Sequence, residues 1–270
     1  MFRYFGFGSN MSTLSLQAKG VDPVSSVRAE LACWQLRFNV QHFFRHEGGV
    51  GNIEFTGNPD HRVLGVLHEC PDEALPLLDA AEAFGYGYDR ITVPVKPHQQ
   101  SFDSDDAVQA LTYVGMPNFI NDECLPSQRY LNILVQGARE AELDQAYLEN
   151  LRAQPIHSPP DYPEFMPPAG RFPEFDKETL AERPLLTSLY GCVFDMTEAR
   201  PQHEFLKGFF GGRDMTLFHL QRMDSATLNE TMDDVRHGRL NAAQTQYLNA
   251  FLNEYAREYR FVGHYSYQKD

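Results

Sequence analysis

The sequence predicts an α+β protein in which strands dominate the first half of the chain and helices dominate the last third. Apolar runs bounded by turn residues predict strands at 2–7, 26–40, 53–55, 63–70, 90–95, 109–114 and 185–196. Amphipathic spacing predicts helices at about 71–82, 127–140, 143–151, 201–210, 214–222 and 241–258. Between these two parts, residues 154–174 contain seven prolines and can form neither a helix nor a central strand.

The change of composition at Gln154 predicts how the chain is divided. We expect a first domain over 1–153, a proline-rich linker over 154–184 and a mostly helical C-terminal region over 185–270. The chain has 270 residues and 42% hydrophobic content, which suffices for one large core or two smaller ones.

Charge and cysteine usage limit the classes of partner. The net charge is −14, and a chain this acidic is a poor candidate for binding nucleic acid or an anionic membrane. The four cysteines are far apart and form no C-x-x-C pair, which argues against a zinc ribbon and favours a reducing compartment. No apolar run approaches the ~18 residues of a membrane span, and no leader precedes the first strand. We therefore expect a cytoplasmic protein with no membrane partner.

The first strand runs into a Gly-Ser-Asn turn within Tyr4–Met11, and a helical segment follows. A turn of this kind at a helix start points several backbone N–H groups at one place, which suits anion binding. It can equally be a plain corner that uses glycine for its backbone freedom. A dinucleotide loop is excluded, because G-x-G-x-x-G requires glycine at position 11, which is Met11, and no Walker lysine follows.

The helix over 71–82 ends with two carboxylates, Asp79 and Glu82, which share one face. They form either a solvated acidic edge or part of a site. The segment that follows, 83–88, is rich in aromatic residues and glycine. A carboxylate beside aromatic walls loses hydration and holds a proton more easily, as an acid/base catalyst requires.

Two further clusters have alternative interpretations. His42 and His46 are spaced for a metal site on a helix, but their aromatic surroundings favour a strand. The segment 211–214, with His219, either ends one helix and begins the next, or presents Arg213 to a carboxylate of a substrate or partner. Acidic residues at 103–106 predict a loop.

Three segments in order resemble the γ-glutamylcyclotransferase superfamily. Tyr4–Met11 (Y-F-G-F-G-S-N-M) is similar to its Y-F-x-Y-G-S-N-[LM] loop. Leu78–Glu82 followed by Tyr88 is similar to its L-D-x-x-E…Y segment, and Tyr130–Leu143 looks like its closing helix. The resemblance covers roughly residues 1–152. It implies a small mixed β-barrel with flanking helices.

By resemblance, the first domain converts a γ-glutamyl amide or peptide into 5-oxoproline and a free amine, with Glu82 as the base and then the acid. The loop would hold the glutamyl group through Phe7, Gly8, Ser9 and Asn10. Tyr88 and Tyr113 would either line the pocket or serve as core aromatics. The reaction needs no metal and no organic cofactor. The partner would be a small molecule.

Two departures from the family pattern leave a second hypothesis open. Phe7 replaces the usual tyrosine, and Ala83 stands where many members have glycine. The chain could therefore be a non-catalytic binding or structural module that keeps the fold. Residues 155–270 match no family pattern, and we expect them either to cover the pocket mouth or to mediate homo-oligomerisation.

Overall fold

The computed structural model describes residues 1–98, 107–227 and 229–269 of the chain. The acidic loop predicted at 103–106 lies outside the described residues. The chain divides into two compact units. The first unit comprises Met1–His42 and Glu47–Pro159, and the second comprises Phe43–His46 and Pro160–Asp270.

A closed five-stranded barrel forms the centre of the first unit, with strand order β1-β5-β2-β6-β7. Its strands are β1 Phe2–Gly6, β2 Ser25–Ala32, β5 Arg62–Cys70, β6 Tyr88–Pro97 and β7 Val108–Gly115. The pair formed by β1 and β7 is parallel, and the other pairs are antiparallel. The mixed barrel predicted from the family resemblance is therefore confirmed.

Apolar side chains on the inner faces of the barrel strands fill the interior of the barrel. The buried apolar side chains of this core are Phe5, Phe7, Ala29, Leu31, Ile53, Val63, Leu67, Val93, Val95 and Ala110. Because side chains alternate between the two faces of a strand, Phe5 and Phe7 enter the same core from one end of β1 and the loop after it. Because Phe7 is buried in the barrel core, it fixes the position from which the following loop starts.

The single strand predicted at 26–40 is wrong, because the chain turns at Cys33. This residue has φ +68°, a left-handed conformation outside the extended region of a regular strand. β2 therefore ends at Ala32, and β3 Trp34–Gln41 pairs instead with β4 Gly49–Phe55 in a separate two-stranded sheet. β4 begins at Gly49, four residues before the strand predicted at 53–55.

Helices flank the barrel as predicted. They are α1 Thr13–Gln17, α2 Leu75–Ala81, α3 Gln128–Glu140 and α4 Gln145–Arg152. The hydroxyl of Ser127 accepts a hydrogen bond from the backbone N–H of Tyr130 at 3.2 Å and so caps the start of α3. The buried faces of α3 and α4 pack with Leu64 and Val66 of β5, which anchors both helices to the barrel.

The second unit contains helices together with a five-stranded sheet of order β11-β9-β10-β12-β8. Its strands are β8 Glu174–Phe175, β9 Leu186–Leu189, β10 Cys192–Asp195, β11 Arg213–Asp214 and β12 Arg260–Tyr265. Its helices are α5 Lys177–Ala181, α6 Glu204–Phe210, α7 Thr216–Leu220, α8 Met232–Arg236 and α9 Ala242–Glu258. The strand predicted at 185–196 is a hairpin, because Tyr190 and Gly191 both have positive φ.

Phe44 lies in the core of the second unit, where only 2% of its surface is exposed. Its ring stacks on Tyr255 at 5.2 Å and meets Phe251 edge-on at 5.4 Å between ring centroids. The strand predicted around His42 and His46 is wrong, since Arg45–Glu47 forms a single 3-10 turn. His46 packs against Phe251 within this same unit.

The cluster at 211–214 joins two helices. Gly211 follows α6 and donates its N–H to the carbonyl of Lys207 at 3.0 Å. Asp214 accepts the N–H of Thr216 at 3.1 Å at the start of α7. These contacts support the interpretation of this segment as a helix end and a helix start. Among the described residues, no helix is long and apolar enough to cross a membrane.

Candidate active site

The loop after β1 closes into a tight 3-10 turn at Ser9–Met11. The N–H of Met11 donates to the carbonyl of Gly8 at 3.0 Å, and that of Ser12 donates to Ser9 at 3.2 Å. The turn folds back so closely that a Cβ on Gly6 would lie 2.7 Å from the Asn10 carbonyl oxygen. Glycine at position 6 is therefore required for this path. The turn directs the Asn10 side chain into the unit, where it is 4% exposed.

The end of α2 fixes the position of Glu82. The N–H of Phe84 donates to the carbonyl of Asp79 at 2.9 Å, and that of Ala83 donates to Ala80 at 3.3 Å. This pair of bonds is the Schellman arrangement, which ends a helix by placing the next residue in the left-handed region. Ala83 occupies that position with φ +51°. The position favours glycine, because glycine adopts positive φ without a steric cost.

Asn10 joins the loop to Glu82. Its side-chain amide donates to Glu82 Oε1 at 2.9 Å and to the hydroxyl of Tyr4 at 2.7 Å. The ammonium of Lys19 donates to Glu82 Oε1 at 2.8 Å and to Asn10 Oδ1 at 2.5 Å. The backbone carbonyl of Asn10 accepts from Nε2 of His68 at 2.9 Å. Asn10 and Lys19 thus bind the Glu82 carboxylate directly, and Tyr4 and His68 are linked to it through Asn10.

His68 is fully buried and holds the turn at Ser9–Met11 through its hydrogen bond to the Asn10 carbonyl. Because a carbonyl oxygen can only accept, the bond to Asn10 requires the proton on Nε2. Nδ1 then accepts from the hydroxyl of Ser26 at 2.7 Å. Burial lowers the pKa of His68 to about 4, so the ring is neutral at physiological pH.

Two tyrosines hold the backbone of Gly51 beside this network. Tyr88 donates its hydroxyl to the Gly51 carbonyl at 2.9 Å, and the Gly51 N–H donates to the hydroxyl of Tyr130 at 2.9 Å. Tyr130 also hydrogen-bonds with the backbone of Ser9. A Cβ on Gly8 would lie 2.8 Å from the Tyr130 hydroxyl, so the loop approaches this ring closely.

The tyrosines near Glu82 are neutral groups. Burial, and then the charge of Glu82, raises the pKa of Tyr4 well above its ordinary value. Burial is also the main cause that raises the pKa of Tyr88, and it raises the pKa of Tyr130 to about 12. Their hydroxyls can therefore donate and accept hydrogen bonds throughout the physiological range.

Asp79, on the helix that precedes Glu82, forms an ion pair with Arg90 of β6. Arg90 binds both of its carboxylate oxygens, at 2.7 and 2.5 Å, and Tyr113 donates its hydroxyl to Oδ1 at 2.6 Å. The Arg90 guanidinium also lies 4.7 Å from the centre of the Phe84 ring. These contacts give Asp79 and Tyr113 an observed role in fixing the end of α2 against β6 and β7.

The structure brings together some of the residues that the sequence singled out. Asn10 and Glu82 share a hydrogen bond, and the backbone of Ser9 hydrogen-bonds with the Tyr130 hydroxyl that also accepts the Gly51 N–H. Phe7 packs in the barrel core, and Tyr88 binds Gly51. Contacts of these side chains with a substrate remain predictions.

Lys19 and His68 were not identified from the sequence as candidate site residues. Tyr4 and Tyr130 were part of the family motifs but had no assigned role. Lys19 lies 63 residues from Glu82, and His68 lies 58 residues from Asn10. No local spacing connects such pairs. In the described part of the chain, no group of three or more His, Cys, Asp or Glu side chains is arranged to hold a metal ion.

Comparison with known proteins gives consistent similarities. Residues 62–151 match the model of the AIG2-like family. The γ-glutamyl cyclotransferase gliK of Claviceps purpurea is 30% identical over 145 residues, which are 50% of this chain and 63% of that protein. The γ-glutamylcyclotransferase of Mus musculus is 28% identical over 156 residues, which are 56% of this chain and 78% of that protein.

A solved structure of a γ-glutamyl cyclotransferase is 25% identical, with a TM-score of 0.47. The similarity covers 58% of this chain and 89% of that one. The match with the Claviceps purpurea protein covers 63% of that protein's length, which is less than two thirds.

Proposed function

We propose that the first unit of this chain, which is similar to γ-glutamylcyclotransferases, cyclises a γ-glutamyl amide or peptide to 5-oxoproline. The observation that carries the proposal is the placement of Glu82, whose carboxylate is bound by Asn10 and Lys19 directly beside the loop.

In the proposed reaction, the substrate's own α-amine attacks its side-chain amide carbonyl. A C–N bond forms in a five-membered ring, and the C–N bond to the leaving amine breaks. No water or external reductant is consumed, so atoms and electrons balance within the substrate. The attack is intramolecular, and holding the chain in a folded shape supplies a large part of the rate enhancement.

Glu82 would move the protons. As a carboxylate it accepts a proton from the substrate's α-ammonium, which makes the nitrogen nucleophilic. The protonated carboxyl then gives this proton to the leaving amine. Each such transfer by a positioned group contributes about 10²–10⁴-fold to the rate.

The loop would hold the negative charges of the substrate. The α-carboxylate and the oxyanion of the tetrahedral intermediate both suit backbone N–H groups, and we assign this role to Gly8, Ser9 and Asn10. Preorganised amides cost no reorganisation when the charge develops. Phe7, Tyr88 and Tyr113 are included in the proposed substrate site, with the tyrosines orienting the glutamyl group.

A reducing compartment, such as the cytoplasm, is part of the proposal, since the cysteines Cys33, Cys70, Cys124 and Cys192 are free thiols. The second unit is proposed to narrow substrate choice or to support homo-oligomerisation.

The test is incubation of the full chain with γ-glutamyl dipeptides, glutathione and γ-glutamyl amines, followed by mass-spectrometric measurement of 5-oxoproline. We expect product from at least one of these classes. The matched control is the N-acetylated form of each substrate, which lacks the nucleophilic amine and should give none. Absence of product from every substrate, together with calorimetric binding of a glutamyl ligand, would favour the non-catalytic binding module instead.

A further inference from the structure

Lys19 is an unusually buried lysine. Its side chain is 6% exposed, although lysines are almost never this buried unless they are paired. It lies just beyond α1, where its N–H donates to the carbonyl of Leu16 at 2.9 Å and Gly20 turns the chain with φ +75°. This turn directs the ammonium to Glu82 and Asn10.

The pairing has a physical consequence for Glu82, whose side chain is only 16% exposed. Removing a carboxylate from water favours its neutral, protonated form, and a neighbouring cation favours the charged form. An ammonium at 2.8 Å therefore acts against the effect of burial. The carboxylate in turn offsets the cost of burying the ammonium.

Four tyrosines that face Glu82 do not supply this compensation. They are Tyr4 of β1, Tyr88 of β6, Tyr113 of β7 and Tyr130 of α3. Burial is the main cause that raises the pKa of each of them, so they are uncharged at pH 7. Lys19 places a positive charge directly on the Glu82 carboxylate, at 2.8 Å.

We propose that Lys19 is a positioning residue that keeps Glu82 in its carboxylate form and fixes its orientation against Asn10. The proposal rests on the proposed function, in which Glu82 must first accept a proton. Lys19 and Asn10 both bind the same oxygen, Oε1, so two contacts define the direction of the carboxylate. Lys19 transfers no proton itself, and its effect on the reaction passes through Glu82.

The direct test is a carbon-13 NMR titration of the glutamate side-chain carboxyls, with the Glu82 signal identified by its loss in Glu82→Gln. The proteins compared are the wild type, Lys19→Met, Lys19→Gln and Lys19→Arg. Lys207→Met is the matched control, since Lys207 is a partly buried lysine paired with Glu204 in the second unit.

We expect the titration midpoint of Glu82 to rise by about one pH unit or more in Lys19→Met and Lys19→Gln, which lack the cation. It should stay close to the wild-type midpoint in Lys19→Arg and Lys207→Met. The Lys19→Gln variant retains hydrogen-bond donors, so it serves if Lys19→Met fails to fold. An unchanged midpoint in a folded, uncharged variant would overturn the proposal.

Activity provides a second readout. If the wild type forms 5-oxoproline, the acidic limb of its kcat/KM profile should move to higher pH in Lys19→Gln by the same amount as the NMR midpoint. A loss of activity at every pH without a shift of this acidic limb would contradict the positioning role of Lys19. If the wild type forms no product, the proposed function fails, and the titration still decides whether Lys19 controls the charge of Glu82.

Discussion

The side-chain amide of Asn10 lies 2.9 Å from the carboxylate of Glu82, although 72 residues separate the two in the chain. This bond joins the loop after β1 to the end of α2. The same amide reaches Tyr4 inside the unit, and the Asn10 carbonyl is held by His68. Asn10 therefore connects the proposed anion-binding loop with the proposed acid/base group.

Replacing Asn10 with alanine should lower kcat/KM for 5-oxoproline formation by about 10–100-fold. A hydrogen bond to a charged group contributes about 1.5–3 kcal/mol, and each 1.4 kcal/mol or so corresponds to a factor of ten. The measurement is steady-state kinetics at pH 7. The matched control is Asn58→Ala, at an exposed turn, which should retain the wild-type value. Equal activity of the two variants would contradict the role of Asn10.

Replacing Ala83 with glycine tests the conformation that ends α2. Ala83 has φ +51°, and a Cβ in the left-handed region costs about 1–2 kcal/mol. Ala80→Gly, inside the same helix, should destabilise by about 0.5–1 kcal/mol. We expect Ala83→Gly to be more stable than Ala80→Gly by about 1 kcal/mol or more, measured by urea unfolding. Equal destabilisation by the two changes would contradict the left-handed assignment.

Much of the fold could be predicted from the sequence, because periodicity is a local signal. Each predicted helix is present, and most of the predicted strands have similar bounds. One error lies around His42 and His46, where the chain forms a 3-10 turn. Two others lie at Cys33 and Tyr190, where residues other than glycine adopt positive φ and turn a strand into a hairpin or a new sheet. Such turns have no clear sequence signal, since the left-handed region is disfavoured for these side chains.

The site was predictable only where a motif contained it. Asn10 and Glu82 belong to segments that resemble a family pattern, so each could be named in advance. Lys19 and His68 could not, because their partners are distant in sequence and the contacts form only when the barrel closes. The placement of Phe44 in the core of the second unit is likewise a long-range contact without a local pattern.

Lowering the pH should destabilise the protein through His68. Its pKa is lowered to about 4 in the folded protein, against about 6.5 when unfolded. Between these values the unfolded state binds more protons, so the free energy of unfolding falls as the pH falls. From pH 8 to pH 5, the loss should be about 2 kcal/mol.

The measurement is urea unfolding of the wild type and His68→Gln at both pH values. Glutamine cannot titrate, so the wild type should lose about 2 kcal/mol more than the variant over this range. His203 is also buried with a lowered pKa, but it contributes equally to both proteins. The same pH dependence in both proteins would exclude His68 as the source.

Replacing Phe44 with alanine should destabilise the second unit by about 3–5 kcal/mol, the usual cost of removing a buried phenylalanine. The reason is the loss of its contacts with Tyr255 and Phe251 of α9. Hydrogen exchange of the α9 amides should accelerate correspondingly. Phe55→Ala, at a site that is 67% exposed, should leave this exchange near the wild-type rate. Unchanged protection of α9 in Phe44→Ala would show that Phe44 is not part of this core.

The most direct test of the proposed chemistry is the rate of 5-oxoproline formation by Glu82→Gln. Glutamine keeps an oxygen that can accept from Asn10 and Lys19, but it can neither take nor give the proton. We expect the rate to fall by about 10²–10⁴-fold or more, while Glu73→Gln, at an exposed position in the turn before α2, keeps the wild-type rate. A wild-type rate in folded Glu82→Gln would contradict the assignment of Glu82 as the general base and acid.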